Sequence, residues 1–385
     1  MSKTNYKRLG DYIREVDVRN RDLKVTKLLG VSISKEFMTS IANTIGTDMS
    51  SYKVVEPWQF AYGPVTSRNG DKVSIALYKD DEKAIVSQAY TIFEVTNKLE
   101  LLPEYLMMWF RRPEFDRYAR FKSHGSAREI FSWEEMCDVE LPIPPIDQQR
   151  KLVAEYNAFQ QRIKLNEQLI VKLEETAQTI YRKMFVDGID KNNLPEGWRM
   201  GTLGEFGDII TGKTPSSNNP EDFGIDTPFI TPGDFHNYKK FAIGAERKLS
   251  TIGVERLKNK ILPKGSILVT CIGSDMGKVV VASEQCITNQ QINSIIVKEV
   301  FYSDYLYYCL LAMKMELKGM ALGSSTMPLL NKSDFEKIQI TIPSNTCLYD
   351  FFKKSSIINS QLILYSEEIY KLKKLQSLLL SGIIL

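Results

Sequence analysis

Histidine is almost missing: His124 and His236 are the only two among 385 residues. That leaves little material for imidazole-based metal sites or for a nucleophile–histidine–acid triad. Cysteine is scarce as well. Cys137, Cys271, Cys286, Cys309 and Cys347 are odd in number, far apart and without a C-x-x-C pair, which speaks against a disulfide framework or structural zinc and fits a reducing cytoplasm. No apolar run approaches the roughly 18 residues of a membrane helix, and the N-terminus has no apolar signal core. Nor is there an excess of one charge. Fifty basic residues face 47 acidic ones, and the halves split at residue 190 carry 28 against 28 and 22 against 19. A generally sticky polycation is excluded, so any nucleic-acid contact must come from local basic faces or from a partner.

What is present is apolar material, 43% of the residues, enough for two or three domains with ordinary cores. It is also repetitive. Leu9-Gly10-Asp11 returns as Leu203-Gly204-Glu205, an offset of 194. In the same order Ser87-Gln88-Ala89-Tyr90 returns as Asn289-Gln290-Gln291-Ile292, Glu104-Tyr105-Leu106 as Asp304-Tyr305-Leu306, and Gly125-Ser126 as Gly323-Ser324. Leu141-Pro142-Ile143-Pro144 then matches Ile340-Thr341-Ile342-Pro343, and Gln168-Leu169-Ile170 matches Gln361-Leu362-Ile363. The chain is a duplicated unit, and missing that would misassign every motif.

Each unit opens with short apolar runs between turn residues, such as Val73 to Tyr78, Ile85 to Tyr90, Ile267 to Cys271 and Val279 to Ala282, which read as strands. One amphipathic helix is expected near Pro103 to Arg120 and another near Tyr302 to Lys318. The expected fold is α+β, with two pseudo-repeated α/β globules separated by two long antiparallel coiled-coil helices. The expected boundaries are globule 1–145, helix 146–186, linker 187–198, globule 199–344 and helix 345–385.

The helices rest on spacing. Between Pro145 and Gly188 there is neither proline nor glycine. Steps of four and three from Leu152 reach Tyr156, Phe159, Ile163, Asn166, Ile170, Leu173, Ala177, Ile180 and Met184, a coiled-coil seam with one polar entry. The last segment gives Leu348, Phe351, Ser355, Ile358, Leu362, Tyr365, Ile369, Leu372, Gln376 and Leu379. Packed against each other, helices of roughly 38 residues would span about 57 Å. Leu165, Leu169 and Tyr181 fall off the first seam, as a second face for another protein would require.

One motif points elsewhere. Gly207 to Thr214 reads G-D-I-I-T-G-K-T, the pattern of a phosphate-cradling loop in nucleotide hydrolases. Such a loop opens a helix, whereas Thr214 here runs into Pro-Ser-Ser-Asn-Asn-Pro. The matching site in the first unit, Val16 to Asn20, has no such loop. Asp80-Asp81-Glu82-Lys83 reads as a solvated turn. No catalytic constellation, cofactor site or metal site is expected.

Two windows are locally basic: Arg111 to Arg128 at +4 and Asn237 to Lys264 at +6. Beside them lie loops rich in the polar groups that read base edges. The candidate DNA contacts are Tyr62, Ser67, Arg68, Asn69, Ser87, Gln88, His124, Ser126 and Arg128 in the first unit. In the second they are Lys213, Thr214, Asp234, Asn237, Tyr238, Ser274, Lys278, Asn289, Gln290, Ser324, Ser325 and Thr326.

The chain resembles the specificity subunit of bacterial type I restriction-modification systems. The likeness spans essentially all of it. It is carried by Thr231-Pro232-Gly233-Asp234, Thr288-Asn289-Gln290, Ala61-Tyr62-Gly63-Pro64, and Leu141-Pro142-Ile143-Pro144-Pro145 leading into Gln148-Gln149-Arg150. The resemblance implies two target-recognition domains, each reading half of a split DNA sequence. The helices would act as a ruler for the unread spacer and dock modification subunits, two in number. Methyl transfer, ATP-driven translocation and cleavage would belong to other subunits. A specificity subunit serving a fused methylase-nuclease is the near alternative, and a nucleotide hydrolase the distant one. The second unit departs from the pattern, with Thr346-Cys347-Leu348 in place of Gln-Gln-Arg and six fewer residues between Pro343 and Asn359 than between Pro144 and Asn166.

Overall fold

A computed structural model describes residues 6–40, 46–67, 69–70, 72–124, 129–273, 276–321 and 329–383. It divides into one unit of residues 1–161 with 373–385 and a second of 162–372. In the first, Ile13–Val16, Thr91–Val95, Phe60–Tyr62 and Ile75–Leu77 form an antiparallel four-stranded sheet in that order. Pairs Leu29–Val31 with Phe37–Thr39 and Lys53–Val55 with Ala84–Val86 lie beside it. In the second, a five-stranded sheet runs Gly207–Thr211, Ile292–Val297, Ile267–Thr270, Val279–Ala282, Phe241–Ala242. A smaller sheet orders Phe223–Gly224, Arg247–Leu249, Thr227–Ile230, Ile287–Thr288 and ends on a parallel pair.

The duplication is visible bond by bond. The amide of Leu9 donates to the Val139 carbonyl and that of Leu203 to Ile338; Thr96 donates to Tyr12 and Lys298 to Phe206. Strand Tyr6–Arg8 pairs with Glu140–Pro142, and Arg199–Thr202 with Gln339–Ile342. The hydroxyl of Tyr105 donates to the Pro142 carbonyl and that of Tyr305 to the Thr341 carbonyl. The single helix expected before each Pro-rich stop is instead two. Pro113 supplies the first break, because its ring cannot continue the turn, so Pro103–Phe110 is followed by Pro113–Lys122. The second unit breaks at Met313, between Tyr302–Ala312 and Lys314–Ala321.

The long helices span Ile146–Phe185 and Asn345–Gly382. Every seam position named above, Asn166 included, is buried or half-buried. In the second unit the helices are antiparallel, since Arg162 pairs with Glu368 at 2.7 Å while Lys354 reaches Met184. There Ile170, Ala177, Tyr181 and Phe185 share a core with Leu348, Phe351 and Leu362. In the first unit Val153 and Tyr156 pack with Leu380 and Ile383. Leu165 and Leu169 are each 45% exposed, but Tyr181 is not on an outer face. Its ring meets Tyr305, Tyr308 and Phe351, because the globule covers a second side of the helix.

Polar bonds join the second globule to these helices. Lys240 pairs with Asp304, which accepts hydrogen bonds from Ser355 and Asn359, and Tyr308 donates to Glu174 at 3.3 Å. Burial pushes the Glu174 carboxyl above the usual carboxylate range, against the opposing pull of Lys240. A carboxyl raised on folding contributes most below its unfolded value and loses that contribution as pH rises through its folded one. Glu174→Gln should therefore be more stable than the parent, with an advantage that widens as pH rises above the ordinary carboxyl value of about 4.3. Chemical denaturation at several pH values checks this, and an advantage that shrinks with pH contradicts it.

Candidate nucleic-acid interface

Three loops of the second unit meet at one end of its sheets. Strand Gly207–Thr211 hands over to Gly212-Lys213-Thr214, whose amides bond across the edge: Gly212 to the Ile292 carbonyl and Lys213 to the Thr288 carbonyl at 2.9 Å. Thr214 Oγ1 donates to Gln290 Oε1 at 2.6 Å. The parallel pairing of Ile230 with Thr288 places Thr231 beside Asn289, and the Asn289 amide donates to the Ile230 carbonyl. The third loop is wound by its own acid. Asp234 Oδ2 accepts from the amide and hydroxyl of Thr231, each at 2.8 Å, while Oδ1 accepts from the Glu246 amide. Asn289 folds back in the same manner, exchanging bonds with the amide and side chain of Gln291.

Asp234 and Asn289 are thus buried frame residues, not groups that face a ligand, and Tyr238 is spent on the Gly244 carbonyl. Facing outward from this frame are Lys213, Thr214, Gln290 and Asn237, all exposed. His236, which is not among the residues the sequence points to although it sits inside one of their loops, meets the Lys278 ammonium through Nδ1 at 3.2 Å. Ser274, Ser324, Ser325 and Thr326 lie outside the described residues. Leu330 is tied to the same edge by its amide to Cys271 and its carbonyl from Asn293.

The nucleotide-hydrolase reading fails here on geometry. The first five residues of the pattern, Gly207–Thr211, are an antiparallel strand, and the next helical turn is a short one at Pro220–Asp222. No helix N-terminus stands behind Lys213 to receive a phosphate.

In the first unit residues 64–66 meet residues 129–131. Phe131 donates to the Pro64 carbonyl, Thr66 to the Glu129 carbonyl, and His124 and Ile130 exchange backbone bonds that close the segment carrying Ser126 and Arg128. Those two, and Arg68, lie outside the described residues. Tyr62 is fully buried, with its hydroxyl on the Phe131 carbonyl. It holds the strand end and offers nothing to a ligand. Asn69 caps the Val65 carbonyl, while the Ser87 hydroxyl accepts from the Ala89 amide. Ser67, Gln88 and His124 are exposed.

The basic windows are less cationic than their sequences. Arg112 is buried over the Trp109 ring, Arg120 meets Glu129, Lys122 meets Glu135 and Arg111 faces Glu36. In the second window Lys240 is buried and Arg256 is shared by Glu221 and Asp222. Acids brought by the fold offset part of what the local count left positive. Among the described residues no helix is long and apolar enough to cross a membrane, and no group of three or more His, Cys, Asp or Glu side chains is placed to hold a metal.

Known proteins share this plan. Residues 195–346 match the family described as the Type I restriction modification DNA specificity domain. The specificity subunit of the type I restriction enzyme HindI from Haemophilus influenzae is 26% identical over 411 aligned positions, covering 88% of each chain. The MjaIX specificity subunit of Methanocaldococcus jannaschii is 35% identical over 158 positions, 40% of this chain and 36% of that one. Among solved structures, the S subunit of a type I restriction-modification system from M. genitalium shares the fold, with a TM-score of 0.59 at 13% identity over 99% of this chain and 96% of that one.

The frame makes one position sharply sensitive. A Cβ at Gly212 would collide with the Thr288 and Asn289 carbonyl oxygens and the Thr288 hydroxyl. Gly212→Ala should cost about 2 kcal/mol and speed amide exchange at residues 213–214 and 288–291, while the rest of the second unit keeps its protection. Unchanged exchange in those loops contradicts the description of the frame.

Proposed function

From its kinship with type I restriction-modification specificity subunits, we propose that this chain is the DNA-recognition subunit of such a complex, in which each globule reads one half of a bipartite target. The observation that carries the reading is the convergence of three polar loops at one end of the second globule, on a frame the first globule repeats in part: the Phe131 amide donates to the Pro64 carbonyl as the Leu330 amide does to that of Cys271. Two copies of one frame with different surfaces suit a split, asymmetric sequence. Lys213 would meet phosphate, while Gln290 and Asn237 are suited to base edges. The long helices set the unread spacer and dock modification subunits, two of them, with Leu165 and Leu169 among the apolar groups left outside. Methyl transfer, translocation and cleavage fall to the partner chains, and the complex works on DNA in the bacterial cytoplasm.

Exchanging residues 1–144 for those of another family member should change one half-site and leave the other intact, as read by methylome sequencing; a change in both halves overturns the assignment. Lys213→Ala should weaken binding evenly across sequences and lower the salt slope by about 1. Gln290→Ala should relax one base position by about 1–3 kcal/mol.

A further inference from the structure

One cation of the second unit's basic window is turned inward. Lys240 has a side-chain exposure of 0% and Asp304 one of 5%. The ammonium lies 2.7 Å from Asp304 Oδ1 and 2.8 Å from Asn359 Oδ1, and 4.6 Å from the centre of the Tyr308 ring. Asn359 Nδ2 donates to both Asp304 oxygens at 2.8 Å, and Ser355 Oγ donates to Oδ2 at 2.5 Å. Lys240 and Asp304 belong to the globule, Ser355 and Asn359 to the second long helix. A parallel link runs from Tyr308 to Glu174 on the first.

Apolar contacts alone would let a globule turn or slip on a helix at little cost, because a burial term is non-directional. This cluster is directional. Asp304 meets its helix donors at one helical position only, and displacement by a residue would take Ser355 and Asn359 away from the buried Lys240–Asp304 pair and leave its remaining hydrogen-bonding capacity unmet. Polar groups buried at a packing seam have a well-attested role in setting register.

The first unit differs at the matching place. Glu104, the repeat counterpart of Asp304, lines a cavity of about 550 Å³ together with Tyr156, Asn157 and Gln160 of the long helix, and Met107 and Met108 stand where the second unit has Tyr307 and Tyr308. One repeat fills this space with an ionic lock; the other leaves it open.

We propose that the cluster of Lys240, Asp304, Ser355 and Asn359 is the positioning element that fixes the second recognition unit on its helices, and with it the spacer length the protein accepts. The proposal rests on the recognition reading above. One base pair of extra spacer moves a half-site by about 3.4 Å and turns it by about 35°. A unit locked in azimuth cannot follow that turn, whereas an unlocked one can.

The test uses the full chain co-produced with its modification subunits and a duplex library with both half-sites fixed and the spacer varied by one base pair either way. The paired variant Ser355→Ala and Asn359→Leu cuts the link to the helix and keeps the Lys240–Asp304 pair. Methylation of wrong-spacer duplexes, relative to the preferred spacer, should rise at least about tenfold over the parent, equivalent to about 1.4 kcal/mol, with the same bases read in each half. A folded variant that stays as strict as the parent, or reads different bases, overturns the proposal. If that variant does not fold, Lys240→Met with Asp304→Leu decides by the same readings, because removing both charges together leaves neither stranded. Glu104→Ala in the first unit should leave the spacing strict, and relaxation there counts equally against the proposal. A parent that shows no bipartite preference at all overturns the recognition reading instead.

Discussion

The arrangement of each unit depends on how the chain leaves its sheet and enters a long helix. A tyrosine on the globule's own helix decides this in both repeats. Tyr105 donates to the carbonyl of Pro142 and Tyr305 to that of Thr341, each four residues ahead of a helix, the two beginning at Ile146 and Asn345. The paired strands at 6–8 with 140–142, and at 199–202 with 339–342, hold the same exit from the other side. With exit and direction fixed, the first turns of the helix must lie across the globule, and Tyr156 and Phe351 enter its core. Only then does a seam of 3.5-residue period have a defined neighbour.

Periodicity and repetition make the frame legible in the sequence. The long helices needed only the absence of Pro and Gly and a counted seam, and the strands followed from apolar runs bounded by turn residues. Tyr181 shows where such counting stops. Its place off the seam was correctly read, yet a helix in a globular unit has more than two sides to bury, and Tyr305, Tyr308 and Phe351 take the one that pattern left vacant. The helix break at Pro113 was likewise written in the sequence. The outweighed signal was the apolar periodicity running across it.

Charge was the poorer guide because it is a tertiary property. Arg120, Lys122 and Arg256 each find a carboxylate from a segment outside or far along their window, and Lys240 finds one 64 residues away. Summing charge over a window assumes that its neighbours in sequence are its neighbours in space, which holds on a helix face and fails in a globule built from short strands. The exposed pairs add little to stability. The buried one constrains geometry, which is a different contribution and invisible to any local count.

The candidate site shows the same division within single loops. Asp234, Asn289 and Asn69 have the short polar side chains that read bases, but the same chemistry that suits them to a base edge suits them to nearby amides and carbonyls. In each case the backbone was closer. A loop that must present a few groups to a ligand needs others to hold it still, and both sets are drawn from the same residue types. Lys213, Thr214 and Gln290 are left outward because the backbone at Gly212 packs flush against residues 288–289, with no room between for a side chain. Composition can therefore locate a reading loop, while the assignment of frame and reader within it requires knowing which amide each side chain reaches first.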